Sequence, residues 1–260
     1  MNLKIISLNI NGLRKKIEII DTQFTDIDIL CLQETKLNNQ LILNKLLKNF
    51  NEYHFIDHNA MGQKGVSMLF NPKINVKHVE EIVLNNNFGR VCLATIIHNN
   101  HEIYIINIYA HHISNIKDTK KIEQKKKFYD ELIAIVNKYK NKNLIILGDF
   151  NANKNKNEEC LNNTYTKPPP GFSDIEIKIY NNFLEKTKLT NLYKYNGIYS
   201  FYSQRTKEKF IMFKHNKGLT VDTIMINSSF STLIKKYHFE IFNKYYQLSD
   251  HLPLYLEIIF

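Results

Sequence analysis

The chain has no tryptophan, only three cysteines, five prolines and eight glycines in 260 residues. Cys31, Cys92 and Cys160 are odd in number and form no CxxC pair, so neither a disulfide framework nor a zinc knuckle is indicated. Cys31 and Cys92 lie inside apolar runs and read as small buried residues. No apolar run approaches membrane-spanning length. The start, Met1-Asn2-Leu3-Lys4, leads into a stretch interrupted by Ser7, Asn9 and Asn11, too short and too polar for a signal-peptide core. No repeat and no linker divides the sequence. These absences predict one domain over 1–260, a monomer in a reducing intracellular compartment, cytoplasmic if bacterial and nuclear or organellar if eukaryotic.

What is present is a large apolar fraction, 43% hydrophobic with 12% aromatic, enough to bury a substantial core and to exclude the disordered class. Lys and Arg number 35 against 25 Asp and Glu, a net charge of +10. That excess suits a polyanionic partner or an anionic membrane surface, although a chain this rich in Lys, Asn and Ile acquires much of it from AT-biased coding alone.

Short β-rich runs at 4–9, 27–33, 66–70, 90–97, 102–109, 143–148, 221–227 and 254–260 read as strands, several of them apolar on both faces and therefore central. Residues 13–24, 40–50, 119–139 and 173–187 read as helices. In the third helix Ile122, Phe128, Tyr129, Leu132, Ile135 and Val136 share a face, and the lysines from Lys117 to Lys127 read as its solvated side. This mixture of βα units and adjacent hairpins points to a layered α/β sandwich. The stretch 151–172, closed by Pro168-Pro169-Pro170-Gly171, reads as a long surface loop, a length more often functional than idle.

Polar residues gather at the C-terminal ends of the predicted strands, where α/β sheets place their sites. Asn9 and Asn11 follow the first strand, Glu34 the second, Tyr109 another, and Asp149 and Asn151 follow Ile145-Ile146-Leu147-Gly148. Asp222 opens a late strand and Asp250-His251 precedes the last. One such carboxylate is ordinarily a helix cap; several together are not. Hydrolysis of a phosphodiester needs a cation against the phosphoryl oxygens, an oriented water, and help for the leaving oxygen. Glu34 and Asp250 suit Mg²⁺, which takes one or two carboxylates and keeps its waters. An extended Asp149-Phe150-Asn151 puts the carboxylate and the amide on one face, to orient water and to meet phosphate. His251 supplies a donor whose ring Asp222 can hold and keep protonated.

Asn9-Ile10-Asn11-Gly12-Leu13-Arg14, Asp28-Ile29-Leu30-Cys31-Leu32-Gln33-Glu34-Thr35-Lys36, Gly148-Asp149-Phe150-Asn151 and Ser249-Asp250-His251-Leu252-Pro253 resemble the ordered motifs of the endonuclease/exonuclease/phosphatase superfamily. Gly62-Gln63-Lys64-Gly65-Val66, Gly171-Phe172, Tyr199-Ser200-Phe201-Tyr202 and Val221-Asp222 narrow the resemblance to the exonuclease III and AP endonuclease type. The resemblance spans nearly the whole chain. It implies a four-layered α/β sandwich of the DNase I type, two packed mixed β-sheets flanked by helices, with the site in a cleft at one edge.

The resemblance further implies an enzyme dependent on Mg²⁺, with Mn²⁺ able to substitute, that cuts double-stranded DNA 5′ to abasic sites and trims or cleans 3′ ends in base excision repair. Glu34 and Asp250 would hold the metal with Asn9 and Asn11 nearby, many relatives carrying Asp where Asn11 stands. Tyr109 would meet the phosphate or leaving group, Asp149 activate water, Asn151 bind the scissile phosphate, and His251 with Asp222 stabilise the pentacovalent transition state. Departures bear on substrate. Ala110-His111-His112 replaces the usual small residue and Pro-Asn after Tyr109, leaving His112 as the replacement donor. Phe201 matches an aromatic of the abasic pocket, while Leu219 and Tyr202 stand where Trp is common. Arg14, Lys15, Lys16, Lys36, Lys64 and Lys167 lie near the motif blocks and read either as phosphate contacts or as solvated charge. Competing readings are another branch with the same catalytic set, either a retrotransposon-type nicking endonuclease or a phosphoinositide or other phospholipid phosphodiesterase, and a DNA-binding relative with weak turnover.

Overall fold

A computed structural model describes residues 2–38, 46–59, 62–155, 169–193, 198–202, 218–241 and 248–260. The chain opens with β1 (Leu3–Asn9), a 3₁₀ turn (Arg14–Lys16), α1 (Ile17–Gln23) and β2 (Ile29–Gln33). Three strands follow, β3 (Asn51–Phe55), β4 (Val66–Phe70) and β5 (Asn75–Glu81), then the hairpin β6 (Val91–His98) and β7 (His101–Tyr109). Helix α2 (Thr119–Lys138) crosses to β8 (Asn143–Asp149), and α3 (Asp174–Thr187) precedes the short β9 (Thr190–Asn191), β10 (Phe201–Tyr202) and β11 (Gly218–Leu219). The chain closes through β12 (Asp222–Ile226), α4 (Ser228–Leu233), β13 (Lys236–Ile241) and β14 (Leu254–Ile259).

Two six-stranded mixed sheets result, ordered β13-β14-β1-β2-β4-β3 and β5-β6-β7-β8-β12-β9, with β10 and β11 forming a small ribbon. The central strands are apolar on both faces because each sheet is covered twice. In β1, Ile5 points into the core between the sheets while Ile6 points to the layer containing Ile20 and Phe24. In β8, Ile145 and Leu147 face the other sheet while Ile146 packs on Phe128, Leu132 and Phe183 of α2 and α3. Four layers are the arrangement that buries both sets, and each fully buried Leu, Ile or Phe contributes about 1.5–3 kcal/mol.

Six strands were unsignalled in the sequence: the two-residue β9, β10 and β11, and β3, β5 and β13, which are all sheet edges whose residues alternate with solvent or are largely exposed. The helix expected over 40–50 lies partly outside the described residues; residues 46–50 are bends and irregular chain leading into β3. The helix expected over 13–24 begins as the 3₁₀ turn. Most of the 151–172 loop, with Cys160, Lys167 and Pro168, is outside the described residues.

The lysine-bearing side of α2 is not wholly solvated. Lys125 is completely buried, because it stands three, four and seven residues before Phe128, Tyr129 and Leu132 and so shares their face. Its ammonium lies 2.6 Å from Oε1 of the equally buried Glu176. Glu176 is also the third residue of α3, where it completes a capping box with Ser173.

Candidate active site

The strand directions assemble the site at one edge of the sandwich. β1 runs parallel to β2, and β7 to β8, so Asn9, Gln33, Tyr109 and Asp149 finish side by side in pairs. β14 and β12 are antiparallel to β1 and β8, which brings their N-terminal ends to the same edge and sets Asp222 directly opposite Asp149. Close strand approach is needed there: at Gly148 (φ +131°) a Cβ would stand 2.1 Å from the Ile108 carbonyl oxygen. A buried strap of Gln33 Nε2 donating to Asn107 Oδ1 at 2.7 Å, with Asn107 Nδ2 donating to the Leu32 and Ser67 carbonyls, ties the sheets behind the site.

Asn9 joins the two halves. Its Nδ2 donates to Glu34 Oε1 at 3.0 Å and to Asp149 Oδ2 at 2.9 Å. Asn11 Nδ2 donates to Asp250 Oδ1 at 3.0 Å. Ser249 Oγ donates to the Asn9 carbonyl at 2.6 Å and fixes the last motif block against the first. Asn11, Glu34 and Asn151 all adopt left-handed backbone, φ +47°, +49° and +45°. Non-glycine residues held there carry local strain, a feature that concentrates at functional sites.

On the second sheet Asp149 is buried and accepts from the Asn151 backbone N–H at 2.8 Å and from Asn151 Nδ2 at 3.2 Å. Burial, reinforced by Asp222, raises its carboxyl to about 7. His251 Nδ1 pairs with Asp222 Oδ2 at 2.8 Å. Burial alone would lower the ring, but the Asp222 charge and hydrogen bond, with Asp149 and Asp250 beyond, raise it to about 10, so it is a cation at neutral pH. Burial and the negative charges of Glu34 and Asp149 push the Tyr109 phenol well above its ordinary range, leaving it a protonated donor, while the Arg90 guanidinium stacks 4.9 Å from its ring centroid. Burial works to raise Glu34 as well, yet the hydrogen bonds of Asn9 and Lys36 outweigh it and hold the carboxyl below its ordinary value.

A cleft of about 630 Å³ opens on these groups. Asn11, Glu34, Lys36, Tyr109, His112, Asp149, Asn151, Phe201, Leu219, Asp250 and His251 all line it. Asn9 is fully buried, and Asp222 is buried with its carboxylate on the His251 ring. Pro169, Pro170, Phe201, Leu219 and Val221 form an apolar side of the cleft, where Phe201 packs 4.9 Å from the His251 ring. Tyr202 does not join them: pleating turns it to the opposite face, into the core between the sheets, where its hydroxyl accepts from the Tyr199 N–H. The base or sugar contact expected of Tyr202 is therefore not offered by its position. Among the basic residues, Lys36 reaches the cleft, Lys64 is paired with Asp57 at 2.7 Å outside the cleft lining, and Arg14 and Lys15 are exposed on the 3₁₀ turn. Lys16 turns inward and donates to the Ile10 and Asn11 carbonyls.

Two sets of donors are candidates for a cation. Single atoms of Asp149, Asp222 and His251 lie within 4.8 Å of one another. There, however, the imidazolium already neutralises Asp222, and a protonated ring nitrogen is no ligand. The other set, Glu34, Asn11 and Asp250, offers oxygens to the cleft, the donor type of a hard divalent ion. Its affinity for positive charge is visible in Lys36, whose ammonium sits 2.9 Å from Glu34 Oε2 and 2.5 Å from Asn11 Oδ1. The residues present fit a metal.

Residues 6–172 match the model of the Endonuclease/Exonuclease/phosphatase family. The chain belongs to that family. Among curated proteins, this family member is 29% identical over 211 residues to a DNA-(apurinic or apyrimidinic site) endonuclease of Dictyostelium discoideum, an alignment covering 77% of the chain and 57% of that relative. Among solved structures, an AP endonuclease of Leishmania major superposes with a TM-score of 0.83 at 19% identity, covering 100% of this chain and 88% of the other. The 3′-5′ exonuclease of Neisseria meningitidis superposes with a TM-score of 0.75 at 20% identity, covering 99% and 100%. At such identities the structural likeness is one of fold, and it is the four-layered DNase I-like fold that the motifs implied.

The sequence reading missed Lys125, Glu176 and Arg90, and gave Ser249, quoted in the last motif block, no role of its own. Lys125 carried a signal in its helical spacing to Phe128 and Tyr129; Arg90, buried at a strand start beside Tyr109, carried none beyond its charge in an apolar run.

Proposed function

We propose that this chain is a divalent-cation-dependent phosphodiesterase acting on double-stranded DNA, nicking 5′ to abasic sites and processing 3′ ends, as in base excision repair. The observation that carries this reading is the meeting of Glu34, Asp149, Asp250 and the Asp222–His251 pair at the mouth of one cleft, beside an apolar recess of Phe201 and Leu219. A base-free sugar fits such a recess, and exclusion of a normal base depends on its size. The relatives named for abasic-site cleavage and for 3′-5′ exonuclease action support the substrate class.

In this reading Glu34 and Asp250, with Asn11, would hold Mg²⁺, which would supply Lewis-acid stabilisation of the phosphoryl oxygens. Asp149 takes the proton of a water whose oxygen attacks phosphorus, and the P–O3′ bond breaks, the departing O3′ taking a proton from solvent water, to leave a 3′-hydroxyl and a 5′-phosphate. His251, already protonated, donates to a phosphoryl oxygen where negative charge grows. Tyr109 and the amide of Asn151 donate to the remaining oxygens, and His112, beside Asn151, lies where a further phosphate oxygen can be met. Lys36, which pairs with Glu34 here, would be free to meet the DNA backbone were a cation to take its place.

The test is a substrate panel in Mg²⁺: duplex with one tetrahydrofuran site, intact duplex, recessed 3′ end, 3′-phosphate, single strand and phosphoinositide. Nicking 5′ to the tetrahydrofuran, at least tenfold faster than any cut in intact duplex and abolished in Asp149→Ala, is expected. Equal rates on intact duplex would remove abasic selectivity, and turnover of phosphoinositide alone would overturn the DNA assignment.

A further inference from the structure

The least economical feature of the fold is a complete ion pair with no access to water, in a helix layer that the reaction does not reach. Lys125 and Glu176 are each fully buried, on α2 and α3. Removing two charges from water is costly, and two apolar residues of like volume would hold the helices together as well. What apolar residues would not supply is the pair's other bonds. Lys125 Nζ donates at 2.7 Å to the backbone carbonyl of Asn151, and Glu176 Oε2 accepts from the Gly171 N–H at 3.1 Å and from the Ser173 hydroxyl at 2.7 Å.

Both ends of this bridge are cleft walls. Asn151 holds Asp149 through its backbone N–H and its Nδ2, and does so with φ at +45°. Gly171 closes the turn whose Pro169 and Pro170 also line the cleft. The two walls also touch: a Cβ on Gly171 would stand 2.8 Å from the Asn151 carbonyl oxygen, so that oxygen is gripped by Lys125 and capped by the turn. Tyr129, one turn along α2, donates to the Phe150 carbonyl at 2.6 Å and grips the preceding peptide in the same way.

We propose that Lys125 and Glu176 are positioning residues, a buried brace that sets the Asn151 peptide, and through it Asp149, and fixes the Pro169–Gly171 wall in register with it. This rests on the phosphodiesterase reading for its kinetic consequence but not for the mechanical one. Lys125→Met with Glu176→Gln removes both charges while Gln keeps an acceptor for Gly171 and Ser173, so the double variant folds without an orphaned charge. Expected on the tetrahydrofuran duplex is a kcat lower by about tenfold or more with KM within about threefold, because the fault lies in orientation rather than in binding. Amide hydrogen exchange supplies the second readout. Glu176→Gln alone, which leaves every contact atom of Asn151 in place, should accelerate exchange at the Asn151 N–H. A double variant that melts at lower temperature yet keeps wild-type kcat would reduce the pair to ordinary structural support, and unchanged Asn151 exchange in Glu176→Gln would break the coupling. If the wild-type protein cuts none of the DNA substrates, the phosphodiesterase reading fails and the exchange measurement alone decides the brace.

Discussion

The two sides of the cleft are built by different rules. The side contributed by the first sheet, Asn11, Glu34 and Asp250, is half open to solvent, and its contacts are made with side chains that can exchange, Lys36 foremost. The side contributed by the second sheet, Asp149, Asn151 and Asp222, is buried, doubly hydrogen-bonded and supported from behind by α2. A group that must admit and release a cation cannot be sealed, whereas a carboxylate that must aim a water gains from being immobile. Metal affinity and catalytic alignment are therefore separable here and should respond to different substitutions.

The sharpest way to break this comparison is Asp149→Ala. Turnover of abasic duplex should fall by about 10³-fold or more, with the Mg²⁺ concentration for half-maximal rate unchanged; a shifted metal requirement would put Asp149 on the cation side. Glu34→Gln should do the reverse, raising the half-saturating Mg²⁺ concentration on the order of tenfold or more and recovering much of its rate at high metal. Metal titration of initial rates reads both. Lys36→Met removes the ammonium that competes for Glu34, and calorimetric titration of the apoprotein with Mn²⁺ should show affinity raised by roughly threefold to tenfold. A weaker metal site in that variant would mean that the lysine organises the ligands rather than occupying their place.

The smallest effect concerns stability on the sealed side. The His111 ring lies edge-on to Phe128 with its Nε2 unpartnered, and burial, with Arg90 and Lys64 beyond, pushes it down to about 3. Its folded value is below the unfolded one, so the unfolded chain takes up the proton first. The stability tied to the neutral ring is complete above about pH 6.5 and is lost as pH falls from there toward 3, by about 1.4 kcal/mol per pH unit. Urea unfolding between pH 7 and 4.5 should show a steeper loss for wild type than for His111→Phe; parallel curves would show that the ring is hydrated on protonation.

The strands that bear the site were legible because double-sided apolar runs end in polar residues, a pattern plainest in β2 and β8 and still visible in β1 and β7 despite Ser7 and Asn107 within them. The edge strands β3, β5 and β13 were not, since a strand with one exposed side and one free edge carries little periodicity above its charged surroundings. Eleven of the nineteen singled-out side chains line the cleft, and Asn9 and Asp222 stand directly behind it. Tyr202 went astray through the simplest rule of a strand: its neighbour Phe201 takes the cleft face, so Tyr202 cannot. Lys125 was hidden by number, one buried lysine among many exposed ones on the same helix.

β14 lies between β1 and β13, pairing residues near 5 with residues near 256. During synthesis the first strand therefore waits, one edge unpaired, until residues 254–258 have left the ribosome. A nascent chain that stops short of Asp250 and His251 lacks two of the groups that line the cleft and leaves that strand edge open to other chains. The same long-range pairing makes folding slow by topology, and cells producing this protein should depend on chaperones holding that open edge.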